Sequence, residues 1–424
     1  MEIELSGAIE LLLPSPSLVQ VFFEAIANSL DAGASEVFIR IEIKKFRPPE
    51  GFKISITDNG QGFNDESFYR FEKLTRKKDE LHMGLGRLAF VNYFKEILVE
   101  SIWGANRRSF IYSEKDDWKK SNKIEKLDSE KPNATTLTFT GFKGERIKAH
   151  DDIKPSALKS KIIEQFLPKL LKRKRENQNL TIKIDLQVEE SSTQGELISG
   201  EEKITLGDVP QLETSYIKDP LLDAYDGIEM LYQVKEGLGE RNFLVAASIG
   251  DRTITINKLL QPASVPLNHS VIFIFSSKLF RADTSRQKII LSEGIADIDL
   301  NRILRREIGK ILTEQIPQLA ERNTQTKGQL EKQFPHLLGL FEESTVGIID
   351  KNAAIDIAQH KFFKAEKEIL QCENLDDAAY EKSLELSSRT LTEYILYREK
   401  IIRKMRAMTP DNSEEEIHEL IVPR

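Results

Sequence analysis

The stretch SLVQVFFEAIANSLDAGASEVFIRIEI, residues 17–43, holds two different periodicities side by side. In its first half, residues 17–31, Val21, Ala25 and Asn28 recur with neighbouring apolar residues at helical spacing, Ser17 is placed as an N-cap, and Gly33 is placed as a stop. In its second half Val37, Ile39, Ile41 and Ile43 alternate strictly, which puts them on one face of a strand. A turn through Pro48, Pro49 and Gly51 then leads to KISITD, residues 53–58, with Ile54 and Ile56 pointing one way. This strand runs into Asp58-Asn59-Gly60-Gln61-Gly62. A polar stretch, residues 64–83, separates it from Gly84-Leu85-Gly86, which opens the apolar helix RLAFVNYF.

Strand-like segments follow near 97–102, 108–113, 135–140 and 180–188, with a helix over about 156–172 before the last. Helix, hairpin-like strands, helix and further strands predict an α+β layering of helices on a mixed sheet, not repeated βαβ units. The polar interval 189–214 reads as a linker or excursion, residues 215–320 as a second α/β domain, and 321–424 as a helical C-terminal region. Residues 1–16 form a short arm ended by Pro14 and Pro16.

Length and composition bound the function. A chain of 424 residues exceeds one ordinary core and predicts two or three domains. A formal net charge of -7 argues against a broad nucleic-acid surface. The single cysteine, Cys372, allows no intrachain disulfide and points to a reducing compartment. No apolar run approaches the ~20 residues that span a bilayer, and the N-terminus lacks the basic-then-apolar order of a secretory signal. The expected location is cytoplasmic, with no membrane partner.

Three segments carry chemistry. Glu24 and Asn28 lie four apart on one helix face, with Asp31 a turn further on. They interrupt Phe22, Phe23, Ala25, Ile26 and Ala27, and polar groups in apolar surroundings need partners such as a metal ion or water. Asp58 closes an alternating strand, and Gly60 and Gly62 let a ligand approach the backbone. By itself D-x-G-x-G is more often only a turn. Gly84-Leu85-Gly86-Arg87 precedes a helix, whose free N–H groups and dipole suit phosphate. A dinucleotide fingerprint is rejected because KKDELHM, not a buried strand, precedes these glycines. No P-loop pattern and no Cys/His cluster with metal spacing is present in the sequence.

In chain order, EAIANSLDAGA (24–34), DNGQGF (58–63), GLGR (84–87) and ATTL (134–137) resemble the ATP-site boxes of the gyrase/heat-shock-chaperone/histidine-kinase/mismatch-repair (GHKL) superfamily. The resemblance implies a two-layer α/β sandwich over about the first 188 residues. It also implies a role for each box. Glu24 resembles the carboxylate that deprotonates the attacking water, and Asn28 the ligand of a magnesium ion (Mg2+) that bridges the phosphates. Asp58 resembles the acceptor of adenine's exocyclic amine, and Thr135 the threonine that completes the adenine contact. Gly60 and Gly62 resemble the glycines that let base and sugar lie close to the backbone. Gly84 and Gly86, with Leu85 and Arg87, resemble the phosphate cradle at the end of a lid, residues 64–83, which carries Lys73, Arg76, Lys77 and Lys78. Asp31 is expected to be a structural hydrogen-bonder. Where the family has Gly-Thr, this chain has Ala134-Thr135.

In the second domain Ser285-Arg286-Gln287 resembles the Ser-Arg-Glu of the ninety-kilodalton heat-shock chaperones, whose arginine reaches the γ-phosphate. Lys288 is the alternative, since other relatives use a lysine there. The resemblance thus implies a Mg-dependent ATPase acting as an ATP-gated, chaperone-like clamp, a nucleotide-dependent homodimer with a protein client. A scaffold with little turnover and a DNA-repair or topoisomerase-like ATPase subunit are the alternatives. The kinase branch is disfavoured because it places a phospho-accepting histidine on a helix ahead of the ATP domain, whereas the sole helical candidate, His360, lies in the C-terminal region and reads as a surface residue. The basic run Lys172–Arg175 is a candidate phosphate contact, although a helix C-terminus attracts the same residues.

Overall fold

The computed structural model describes residues 17–46, 49–72, 86–114, 118–145, 147, 152–189, 199–237, 242–283, 288–292, 294–341, 346–371 and 376–408. The arm 1–16, the lid lysines and arginine, Gly84, Leu85, Ser285-Arg286-Gln287 and Cys372 lie outside them. By contacts the chain divides into two compact units. The first holds residues 1–233, 244–256 and 272–295; the second holds 234–243, 257–271 and 296–424.

The first unit begins with α1 (Val19–Asp31), β1 (Glu36–Ile43), the short pair β2 (Lys45–Phe46) and β3 (Pro49–Glu50), and β4 (Lys53–Asp58). Next come α2 (Asp65–Glu72), α3 (Gly86–Tyr93), β5 (Phe94–Trp103), β6 (Asn106–Ser113), β7 (Lys123–Lys126) and β8 (Ala134–Phe142). α4 (Pro155–Arg175), β9 (Thr181–Val188) and β10 (Gly200–Thr205) follow. One eight-stranded sheet results, in the order β10-β9-β1-β4-β8-β5-β6-β7. It is mixed: β1 runs parallel to β9 and antiparallel to β4.

The alternation seen in sequence decides which face is covered. Val37, Ile39, Ile41 and Ile43 of β1 are buried, as are Ile54 and Ile56 of β4. They join one apolar cluster with Phe22 and Ile26 of α1, Phe90 of α3, and Ile162 and Phe166 of α4. Each such side chain removed from water contributes about 1.5–3 kcal/mol, so the sheet and its helical layer stabilise each other. The start of α1 departs from expectation. Its cap position is Leu18, without a side-chain cap, and Ser17 instead donates its N–H to the Gln20 side chain at 3.2 Å. Part of the interval read as a linker or excursion is also structured. Residues 200–205 pair with β9 as an edge strand, which polar composition hides because one face of an edge strand meets water.

A second sheet is formed by β11 (Glu213–Ile217), β12 (Ile228–Glu236), β13 (Phe243–Ile249), β14 (Arg252–Thr255) and β15 (His269–Ser276), in the order β11-β12-β15-β13-β14. Leu231, Leu244, Ala246, Ile272 and Ile274 of this sheet share the apolar cluster of the first. A small pair, β16 (Phe280–Ala282) and β17 (Ile289–Leu291), follows. The chain then turns helical: α5 (Asp297–Gln315), α6 (Pro317–Gln333), α7 (Lys351–Leu370) and α8 (Asp377–Ala407). Leu330, Leu337, Phe341, Ala358, Phe362 and Leu386 form the core of this helical part. Among the described residues no helix is long and apolar enough to cross a membrane.

Candidate nucleotide site

The last inward positions of three adjacent strands are polar. On β4 the buried series Ile54, Ile56 ends in Asp58; on β5 Ile97, Val99 ends in Ser101; on β8 Thr135 precedes Leu137 and Phe139. Register brings the three together, for Asp58 pairs with Thr135 and Thr135 pairs with Ser101. The hydroxyls of Thr135 and Ser101 are 2.9 Å apart, and the Phe63 N–H donates to Ser101 Oγ at 2.8 Å. Asp58 is 8% exposed. Its Oδ1 accepts from the Gly60 N–H and its Oδ2 from the Ser29 hydroxyl, both at 2.9 Å. Burial pushes its carboxyl above the ordinary range, partly offset by those two donors. A carboxylate has about four lone-pair positions, so this one still has room for further donors.

The turn after Asp58 is tightly built. A side chain at Gly60 would bring its Cβ to 2.8 Å from the Ala32 Cβ and 2.9 Å from the Ala32 carbonyl. Gly62 has φ +82° and faces the Trp103 Cβ at 2.9 Å, so both space and backbone favour glycine there. Asn59 fastens the turn to the start of β1. Its Oδ1 accepts from the Ser35 and Glu36 N–H groups and its amide donates to Ser35 Oγ, each at 2.9 Å.

Arg108 was not singled out in sequence, yet it is 2% exposed and holds the next segment. Its Nη1 donates to the carbonyls of Phe63 and Asn64 at 2.7 and 2.8 Å, and its Nη2 pairs with Asp65 at the start of α2. The signal was the inward alternation Arg108, Phe110, Tyr112 on β6. Arg87 is the converse case. Expected at a ligand, its side chain is buried, 5.1 Å over the Phe71 ring and 6.0 Å over Tyr112. Burial lowers its pKa and pushes the Tyr112 phenol up to about 12. The apolar positions around it on α3 draw it inside, where it braces α2 against β6.

On α1, Glu24 is half-buried, while Asn28 and Asp31 are exposed. Asp31 pairs with Lys169 of α4. Arg173 of the basic run donates to the Ala34 and Leu30 carbonyls at 2.6 and 3.0 Å, capping α1, and Lys174 donates to the Val209 carbonyl at 2.7 Å. Two of the four candidate phosphate contacts are therefore engaged within the fold. Gly86, the first residue of α3, abuts Glu24: a Cβ there would overlap the Glu24 carboxylate. The partner of that carboxylate was missed in sequence. Arg252 Nη1 donates to Glu24 Oε1 at 2.5 Å and Nη2 to Oε2 at 3.3 Å. Lys288, an expected phosphate contact, is exposed, and its N–H bonds Asp283 Oδ1 at 3.1 Å.

Residues 17–143 match the family described as "Histidine kinase-, DNA gyrase B-, and HSP90-like ATPase". That family belongs to the GHKL superfamily, and the match lies wholly within the first part of this chain. Among solved structures, one titled "Crystal Structure of N terminal domain of a DNA repair protein" superposes with a TM-score of 0.45 and 12% identity, over 70% of this chain and 94% of the other. The Aquifex aeolicus MutL ATPase domain complexed with ADP superposes with a TM-score of 0.34 and 15% identity, over 62% and 92%. No curated protein matches the chain. The family match spans the helix α1, the Asp58 turn and the Thr135 strand described above.

Proposed function

We propose that this chain binds ATP with the adenine amine on Asp58 and hydrolyses it with Glu24 as the base. The observation that carries this reading is Asp58 itself: a buried carboxylate on a strand end, with two donors satisfied and lone pairs left over. An exocyclic amine would restore to that carboxylate what burial removes, a hydrogen-bond donor to the charged form. Thr135 and Ser101 line the same rim, and Gly60 and Gly62 keep the turn low enough for a flat ring.

On α1, away from Asp58, Glu24 activates water. The water oxygen bonds to the γ-phosphorus, the bond from that phosphorus to the β–γ bridging oxygen breaks, and the water proton passes to the Glu24 carboxylate. The residues fit a magnesium ion that arrives with the phosphates. Among the described residues no cluster of three His, Cys, Asp or Glu could hold a metal alone, whereas Asn28 offers an exposed amide oxygen four residues from Glu24. Such an ion takes one or two protein oxygens and keeps waters. When bound it would neutralise phosphate charge, with Asn28 as its protein ligand.

ATP-gated clamping, a homodimer and a protein client remain part of this reading, resting on the resemblance of the first part to the matched family. One observation favours the scaffold alternative: the Arg252 guanidinium engages both oxygens of the Glu24 carboxylate.

The test is Asp58→Asn. Calorimetry should show ATP affinity falling by about 10–150-fold, the worth of a hydrogen bond to a charged group; unchanged affinity removes adenine from Asp58. The same variant carries a pH signature. The folded-state pKa of Asp58 is raised, so its contribution to stability is present below the unfolded pKa and lost as pH rises through the folded value. Without nucleotide, the thermal midpoint of Asp58→Asn relative to wild type should therefore improve as pH rises through that window.

A further inference from the structure

Arg252 is delivered to the site by a hairpin. β13 and β14 pair from Ala246–Thr255 to Ile249–Arg252, and the two turn residues between, Gly250 and Asp251, have φ of 60° and 61°. Positive φ at both central positions is the turn that matches strand twist, so Arg252 is set firmly as the first residue of the returning strand. The hairpin is fastened to α4. The Thr253 hydroxyl donates to the Glu164 carbonyl at 2.8 Å, and the Arg252 guanidinium lies 5.9 Å from the Phe166 ring centroid. The side chains of Arg252 and Glu24 are 14% and 17% exposed. Burial acts to lower the Arg252 pKa, but the facing Glu24 carboxylate, with Asp31 adding to it, outweighs this and the net shift is upward.

A guanidinium donating to both oxygens favours the charged carboxylate and so makes it a weaker base. As a permanent arrangement that would impede the reaction assigned to Glu24. The attacked phosphorus, however, must lie one water away from Glu24, with each step of that path about 3 Å. A guanidinium held on Glu24 therefore starts about two such steps from the phosphoryl oxygens, within the compass of an arginine side-chain rotation. A cation there is worth on the order of 10³–10⁵ in rate. The γ-phosphate also carries more negative charge than a carboxylate and competes for the same guanidinium.

We infer that Arg252 is a catalytic residue parked on Glu24: it holds the base while the site is empty and moves to the γ-phosphate when ATP is bound. This rests on the ATP-site reading above. It assigns the phosphate-binding cation to the β13–β14 hairpin, where the sequence had pointed to Arg286 or Lys288.

Two measurements on the full chain test it. Single-turnover hydrolysis by Arg252→Gln, whose shorter stem still packs near Phe166, should fall at least about 100-fold, with ATP affinity within a few-fold of wild type; Arg252→Lys should recover part of the rate. A double-mutant cycle of Glu24→Gln and Arg252→Gln, read by thermal midpoint, should show coupling in the nucleotide-free protein that disappears with a non-hydrolysable ATP analogue. An unchanged or faster rate in both arginine variants overturns the catalytic role. Coupling that persists undiminished with the analogue overturns the movement and leaves a fixed brace. If the wild type itself binds no ATP, the site assignment has failed, and the inference falls with it for that separate reason.

Discussion

Asp58, Thr135 and Ser101 are neighbours because β4, β8 and β5 are adjacent antiparallel strands in register. Glu24 and Arg252 are neighbours although 228 residues separate them in the chain. The end of the site assigned to adenine is a product of the sheet: once the strands pair, the three polar groups have nowhere else to be. The end assigned to the phosphates is assembled from the middle of one helix, the start of another and a hairpin tip of a second sheet. A base-recognition surface can thus be rigid before ligand arrives, while the chemistry is left to parts that can rearrange. Binding and turnover should separate accordingly under mutation.

The largest expected effect is at the assembled end. Glu24→Ala should bind ATP but lose about 10²–10⁴ in turnover, the usual worth of a positioned base. Wild-type steady-state hydrolysis in that variant would take Glu24 out of the mechanism and erase the contrast between the two ends. Gly86→Ala comes next. Its Cβ would overlap the Glu24 carboxylate, forcing the carboxylate from its place, and a small misplacement of this kind costs about 10²-fold in rate. Affinity measured beside rate shows whether the damage stays at this end; an equal loss in both would mean that the ends are not separable. The smallest effect is expected at the sheet-built end. Ser101→Ala removes the acceptor of the Phe63 N–H and the partner of Thr135. It should destabilise by about 1 kcal/mol, the low end of the cost of leaving a donor unpaired, because the Phe63 N–H is only partly buried. Denaturant unfolding measures this, and a variant as stable as wild type would show that the rim tolerates rearrangement.

Much of the first sheet was legible because its signals are local. Val37, Ile39, Ile41 and Ile43 alternate in sequence and are buried in the structure. What escaped was whatever needed a second segment to acquire meaning. Ser101 is an ordinary serine until β8 sets Thr135 beside it. Arg173 read as a candidate phosphate contact or a complement to its own helix dipole, and it caps the neighbouring helix α1. Arg87 followed a glycine pair that suggested an exposed cradle, yet the aromatic rings of Phe71 and Tyr112 enclose it. Residues 200–205 looked like linker because an edge strand may be polar along most of its length.

Taken by itself, the sequence determined the elements and the order of the boxes, since periods of two and of 3.6 residues are written in neighbouring side chains. It also determined that an acid at 58 and glycines at 60 and 62 would meet at a strand end. Only the tertiary structure decided that Ser101 completes the rim and that Arg252 faces Glu24. Strand register and hairpin placement follow from burying the whole apolar cluster at once, and no window of the chain contains that sum.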